Sequence, residues 1–398
     1  MNDINNILKG ESINYSLWDY SFLLWFFTDS CFNHTIVGIL GQAVFLMISL
    51  KELMIYKKFA PSFTFVAFAL FCFTCWYNIN SGNALSKETA SFMLNVLLRN
   101  LIFIYFLYLY LSHRSISLIV DLFIKTCLIS SVVIIAYNYL LTGSIIMRDI
   151  EGSINGNLQA VNNAIAIGLI YATDKKESKN WIYKSILLFA FCILAGTRKA
   201  IMVMAIMIGG QFLMKHPRKI VSNLIKLGIA GGVLLFLMFK VDFIYDIIGN
   251  RFEGIVGFMN DTGEVDASTE TRSKFIELGM LYFSSNPWHG YGIDCFREIQ
   301  GAHETYSHNN YVEILFGVGL PGIIFYYSMY IVPLLKGVKN WLLHNNLFVM
   351  LGVLICLGCL FADYGMVSYF DRSTYLKIIM IGLFVKYSSS YKQQNKVA

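Results

Sequence analysis

Charge is what this chain has least of. Only 14% of its 398 residues are Asp, Glu, Lys or Arg, while 56% are hydrophobic, and the mean hydropathy is +0.57. A soluble domain carries about 25% charged residues, so there are too few here to coat a water-facing surface. The composition is that of an integral membrane protein. A basic n-region followed by a small-residue cleavage site is also missing: the opening MNDINNILKGESINYS is polar and reads as a cytoplasmic lead-in, with the first apolar segment retained. The net charge of +6 would suggest nucleic acid in a soluble protein. Here the placement of Lys and Arg between apolar runs makes it a statement about topology, and no nucleic-acid partner is expected.

Metal and redox chemistry lack their usual signals. Of the eight cysteines, Cys72, Cys75, Cys127, Cys192, Cys356 and Cys359 lie in apolar runs, where they behave as small hydrophobes. Cys72 and Cys75 form a CxxC without a second pair or a nearby His, so neither a metal nor a cofactor is expected. No internal repeat and no low-complexity linker is visible, which points to one membrane domain over 1–398.

Apolar stretches at 17–31, 34–50, 61–80, 91–112, 115–141, 157–173, 181–197, 199–214, 220–240, 309–335, 347–363 and 374–390 predict an all-α polytopic membrane protein with about twelve transmembrane helices. With a cytoplasmic N-terminus, the inner loops hold Lys51, Lys57, Lys58, Arg114, Lys175, Lys176, Lys179, Lys215, Arg218, Lys219, Lys336 and Lys339, whereas short outer loops hold only Lys87, Arg148, Arg198, Lys199 and Arg372. That bias places both termini inside. Residues 241–308 form a long outer loop, a length that is uncommon without a function. Within it TRSKFIELGMLYFSS predicts an interfacial helix, stopped by Asn286-Pro287 and followed by turns at Gly290 and Gly292.

Candidate functional residues crowd the outer face of this scheme. SHNNYVEILFGVGLPG puts His308, Asn309, Asn310 and Glu313 at the entrance of an apolar helix that a glycine-rich break then interrupts. His308 is either a helix cap or a proton-transfer group. Arg198, in LAGTRKA, is either an interfacial anchor or a bidentate phosphate ligand. Arg272 is either an exposed salt bridge to Glu270 or Glu277 or a second such ligand. Two guanidiniums and an imidazole at one boundary suit an anionic, lipid-anchored substrate. Arg99, inside an apolar helix, is expected to face a polar cavity or a carboxylate. Asp121 and Lys125 satisfy each other across one helical turn. Asn155, Asn157, Gln159, Asn162 and Asn163 either contact sugar hydroxyls or bond between helices, with Asn157 and Asn162 carried as substrate contacts.

Three of these pieces together resemble the O-antigen polymerase and O-antigen ligase superfamily of bacterial membrane glycosyltransferases. They are GTRKA at 196–200, TRSKFIELGMLYFSSNPWHGYG at 271–292 and HNNYVEILFGVGLPG at 308–322. The resemblance implies transfer of a glycan from undecaprenyl diphosphate to an acceptor hydroxyl at the periplasmic face of the inner membrane, without metal or nucleotide sugar. Arg198 and Arg272 match arginines associated with the diphosphate, and His308 matches the catalytic histidine; Thr197 stands where the common form has Ser. The expected partners are an undecaprenyl-diphosphate-linked oligosaccharide, membrane lipid and a chain-length regulator. A repeat-unit polymerase is the first reading, a ligase to lipid A core the second. A flippase is the third, although it would show paired broken helices in two related halves.

Overall fold

The computed structural model describes residues 15–32, 35–56, 61–147, 156–173, 180–215, 219–240 and 267–394. Helices occupy most of them: α1 (Leu17–Phe32), α2 (Ile36–Tyr56), α3 (Phe63–Asn80), α4 (Lys87–Ser112), α5 (Ile116–Thr142), α6 (Gly156–Thr173), α7 (Asn180–Leu194), α8 (Arg198–Lys215), α9 (Ile220–Lys240), α10 (Ala267–Ser285), α11 (Asn310–His344), α12 (Leu347–Asp363) and α13 (Arg372–Gln394). Their starts are written locally. The hydroxyls of Ser62, Ser86 and Ser115 accept from the N–H three residues on, and Asn346 caps α12 in the same way.

Each of the twelve expected spans overlaps a helix, but the 309–335 stretch breaks at Gly319 and is not one continuous span, because the chain folds back there. Among the described residues, five helices are long and apolar enough to cross a membrane: Ile36–Ile55, Phe63–Asn80, Lys87–Ser112, Ile116–Thr142 and Asn310–His344. α7 and α12 are shorter apolar helices. The lead-in at 1–14 and residues 241–266, which carry the DTGEVD stretch, lie outside the described residues, as do Asn155 and Arg148.

Two sets of contacts distinguish the ends of the bundle. At one end Arg114 at the α4–α5 turn pairs with Asp19 at 2.6 Å, and the Tyr110 hydroxyl donates to the same carboxylate at 2.8 Å. Asp121 accepts from the Tyr15 hydroxyl at 2.6 Å and pairs with Lys125 at 2.9 Å, the local ion pair expected of this spacing. At the other end Arg372 pairs with Asp29 at 3.0 Å, the Leu85 N–H donates to the Tyr291 carbonyl at 2.8 Å and the Met147 N–H to the Leu194 carbonyl at 3.1 Å. This second end carries the segment between α10 and α11.

α11 is bent, and the bend builds the site. Asn310 and Tyr327 would be about 25 Å apart along a straight helix, yet the Asn310 amide donates to the Tyr327 hydroxyl at 3.0 Å. The stretch folds back on itself at Gly319, whose φ of 65° and ψ of −161° belong to glycine alone. The first limb, 310–318, lies beside the second, 320–344: the Tyr311 and Tyr327 rings stack with centroids 4.6 Å apart, and a Cβ at Gly322 would lie 2.2 Å from Val318.

The segment after α10 holds this bend. Asn286 ends α10 as expected, its amide donating to the Gly290 carbonyl at 2.9 Å, and Gly290 and Gly292 turn with φ of 71° and 102°. The N–H groups of Tyr291 and Gly292 then donate to the Phe316 and Gly317 carbonyls, both at 2.8 Å, and the Leu320 N–H to Pro287 at 2.8 Å. These bonds satisfy backbone groups that a broken helix leaves open.

Candidate functional site

The first limb of α11 rises about 13 Å from Asn310 to the bend at Gly319, so its lower end, the floor of the site, lies away from the 286–292 turn that bonds to the bend. α10 runs alongside in parallel. Phe275 faces His308 with ring planes 3° apart, a Cβ at Gly279 would touch Val312 at 2.3 Å, and Tyr282 packs edge-on against Phe316. Arg272, one turn before Phe275, lies close enough for its charge to act on His308.

Asn310 anchors the floor. It is fully buried. Its amide nitrogen donates to Tyr327 and, at 3.2 Å, to Asp363; its oxygen accepts from the N–H groups of Ser368 at 2.9 Å and Tyr369 at 3.1 Å. All four hydrogen-bonding positions of the side chain are therefore taken by protein. Asp363 is closed in turn by the Tyr327 hydroxyl at 3.1 Å and the Ser368 hydroxyl at 2.6 Å. Asn310, a candidate functional residue by sequence, is thus left no free position for a substrate contact. Asn309 is the N-cap of α11, its side-chain oxygen accepting from the N–H groups of Tyr311 at 3.0 Å and Val312 at 3.1 Å.

His308 sits on the residue before that cap, in the left-handed region with φ of 57°. Its ring is held by Tyr306, with centroids 4.4 Å apart, and by Phe275. Ser307 fixes the backbone beneath it. The Ser307 N–H donates to Glu313 Oε2 at 2.8 Å and its hydroxyl donates to the Asn309 carbonyl at 2.9 Å. Glu313 is 1% exposed and its second oxygen has no partner among the described residues. Burial, then the charges of Arg272 and Lys199, push the His308 pKa down to about 4, so the imidazole is neutral at neutral pH and available to accept a proton. Tyr306 is raised, first by burial and then by Asp371 and Glu313, against the lowering effect of Arg272.

Lys199 is the residue that sequence reasoning missed. It was visible only as one more cation at a short turn, yet its ammonium donates to the Gly365 carbonyl at 2.7 Å and acts on the His308 ring together with Arg272. Arg198, the first residue of α8, is half-buried one position earlier, after Gly196 at φ of 61° and the buried Thr197. The Arg-Lys doublet in a turn tight enough to need glycine was the available signal.

Other expected site residues lie elsewhere. Arg99 is exposed on α4 and donates to the Asn95 carbonyl of its own helix at 3.3 Å, and among the described residues no carboxylate pairs with it. Asn162 is buried and accepts from Lys377 at 3.0 Å. Asn163 donates to Ser131 at 2.8 Å and accepts from Gln159 at 2.8 Å. These amides make the interhelical network that was the alternative to sugar contact. Asn157 is exposed on the first turn of α6. Glu270 pairs with Lys274 at 2.6 Å.

The floor thus joins a neutral base, two nearby cations and a buried carboxylate. Cations at an imidazole favour its neutral form, and an incoming anion would reverse that bias, so anion binding and proton uptake at His308 are coupled. No curated protein matches the chain. Residues 185–327, which carry Arg198, Lys199, Arg272, His308 and Glu313, match the family model described as O-antigen ligase, and this match supports the chain's likeness to the O-antigen ligase and polymerase superfamily of membrane glycosyltransferases.

Proposed function

We propose that this chain transfers a glycan from a lipid diphosphate to an acceptor hydroxyl. The observation that carries the reading is His308, neutral and held between aromatic rings, with Arg272 and Lys199 acting on it inside the family-matching segment. Arg272, Arg198 and Lys199 take the diphosphate, and their charge offsets the negative charge that accumulates on the bridging oxygen as the glycosidic bond breaks. His308 accepts the proton of the incoming hydroxyl as that oxygen bonds to the anomeric carbon. The leaving group is an anion already stable as a diphosphate, so it needs no strong acid. Direct attack inverts the anomeric centre without a covalent intermediate or a metal.

The donor in this reading is an undecaprenyl-diphosphate-linked oligosaccharide, the site faces the periplasm from the inner membrane, and both termini are cytoplasmic. The Lys and Arg distribution supports that orientation. Our first reading of the acceptor is the next lipid-linked unit, which makes the chain a repeat-unit polymerase; the description of the matching family favours the second, ligation to lipid A core.

The test is purified protein reconstituted with a lipid-diphosphate-linked repeat unit as sole substrate, read on a gel. A ladder is the polymerase result. Product only after addition of lipid A core is the ligase result, and silence with both substrates overturns glycan transfer in favour of a transporter.

A further inference from the structure

Four of the five non-glycine residues with a positive φ among the described residues lie between the 286–292 turn and α11: Asp294 at 63°, His303 at 51°, Glu304 at 57° and His308 at 57°. His308 belongs to the site, and Asp294 is held by its bond to Arg297 at 2.7 Å. His303 and Glu304 are different. The Thr305 N–H donates to the Ala302 carbonyl at 3.1 Å, so the pair fills the two central positions of a type I′ turn, places that Gly and Asn occupy at least cost. Both side chains are exposed, and among the described residues neither makes a hydrogen bond or an ion pair. Beyond the contact of His303 with Phe275, the fold gains nothing from an imidazole and a carboxylate here that would offset the strained backbone. Strain that packing does not repay points to residues kept for what they bind.

The turn adjoins the site. Phe275 has both imidazoles as ring neighbours, His303 with centroids 6.3 Å apart and His308 with centroids 6.2 Å apart. Tyr306, 36% exposed, lies between the two in sequence and 4.4 Å from the His308 ring. Charge divides these surroundings. Lys199 and Arg272 act on the His308 ring, whereas Tyr306 also lies within electrostatic reach of Glu313 and Asp371. The stretch from Asp294 to Glu304 carries Asp294, Glu298 and Glu304 against one cation, Arg297, which Asp294 neutralises. A diphosphate belongs with the cations, and the acidic stretch is left to the other reactant, which is uncharged there and rich in hydroxyls. A carboxylate accepts from two hydroxyls and a neutral imidazole both donates and accepts, while the exposed ring of Tyr306 offers an apolar face with a polar tip.

We infer that the His303–Glu304 turn, with Tyr306, is a saccharide subsite on the acceptor side of His308, where Glu304 and His303 bond the hydroxyls of the incoming sugar. The inference rests on the glycan-transfer reading and adds to it the surface that takes the second substrate.

The test uses the full chain in detergent, carrying His303→Asn, Glu304→Asn or both. Asn accepts a positive φ more readily than most residues, so the turn is kept and each variant should melt no lower than the parent. Two probes separate the substrates. One is the repeat-unit oligosaccharide freed of its lipid by mild acid, with binding read by saturation-transfer NMR; the other is farnesyl diphosphate, a lipid diphosphate without sugar. The double variant should bind the oligosaccharide at least about fivefold more weakly than the parent, as the loss of two hydrogen-bonding groups implies, and farnesyl diphosphate equally well. Unchanged oligosaccharide binding overturns the inference, as does a parent that does not bind the oligosaccharide. A melting temperature below the parent's would give the two side chains to the fold, and an equal loss of both probes would deny the turn any preference for the acceptor; either result also overturns it. Oligosaccharide binding that the double variant loses, in a parent silent in the transfer assay, would overturn glycan transfer and leave the saccharide subsite standing.

Discussion

The Lys199 ammonium donates to the Gly365 carbonyl oxygen 2.7 Å away, tying the first turn of α8 to the chain just beyond α12. A Cβ at 365 would lie 2.8 Å from the lysine Cδ, so a larger residue there would have to shift this side chain. This bond holds a cation where it depresses the basicity of His308.

Lys199→Met should therefore raise the His308 pKa above about 4, because removing a positive neighbour relieves the protonated ring. A ¹³C-labelled histidine titration followed by NMR checks it directly. The acid limb of the pH–activity profile should move to higher pH in the same variant. A titration identical to the parent's would mean that burial and Arg272 set the value without Lys199.

Acid should also weaken the fold through this ring. Between the ordinary value of 6.5 and about 4 the unfolded chain binds a proton that folded His308 refuses. Stability from this group is full above that window and is lost as pH falls through it. Melting in detergent at pH 7 and pH 4.5 should show a smaller drop for His308→Phe than for the parent.

Arg198→Ala, Arg272→Ala and His308→Ala should each abolish transfer while leaving membrane insertion and amount unchanged. Arg272→Lys should lose most of the activity, because an ammonium does not reproduce the two-pronged contact of a guanidinium. Normal product from all three alanine variants, on the same gel assay, would remove the site assignment.

Glu313→Ala leaves the buried Ser307 N–H without its acceptor at 2.8 Å, a loss of about 1–3 kcal/mol in the local structure that presents His308. The expected result is a tenfold or greater fall in kcat with KM nearly unchanged. Glu313→Gln keeps an acceptor and should recover most of the rate if positioning is the whole role. Failure of Gln to recover it would indicate that the carboxylate charge itself takes part.

Gly319→Ala should destabilise the protein by about 2–4 kcal/mol or prevent folding. Its Cβ would lie 2.6 Å from the Pro287 carbonyl oxygen and 2.8 Å from the Trp288 carbonyl carbon, on a backbone that alanine avoids. Gly382→Ala, with nothing within 4 Å of the added carbon in a helix interior, is the control and should gain about 0.5–1 kcal/mol rather than lose stability.

Hydropathy made the helices legible, since a run of about 20 apolar residues has few alternatives in lipid. The glycine break in α11 was visible too, and Asn286-Pro287 ended α10 where it should. The fold-back itself was not, because a glycine break announces a bend without its angle, and the angle here is set by backbone bonds from 286–292, remote from the break in sequence. Arg99 was read inward on the general cost of a buried charge, but which face of a helix looks inward is decided by its neighbours. Lys199 was hidden for the same reason: its importance depends on Gly365 and Arg272, which approach it only in three dimensions. Asn162 could be told from a sugar ligand only once Lys377 was placed beside it.

The left-handed backbone of His308 has one more consequence. A branched or bulky residue pays about 1–2 kcal/mol to sit there, and glycine nothing. At position 308 the requirement of the fold and the requirement of the chemistry thus point to different amino acids. His308→Gly should be the rare active-site substitution that relaxes the backbone as it silences the protein, and a screen that rewards thermal robustness alone would drift toward it.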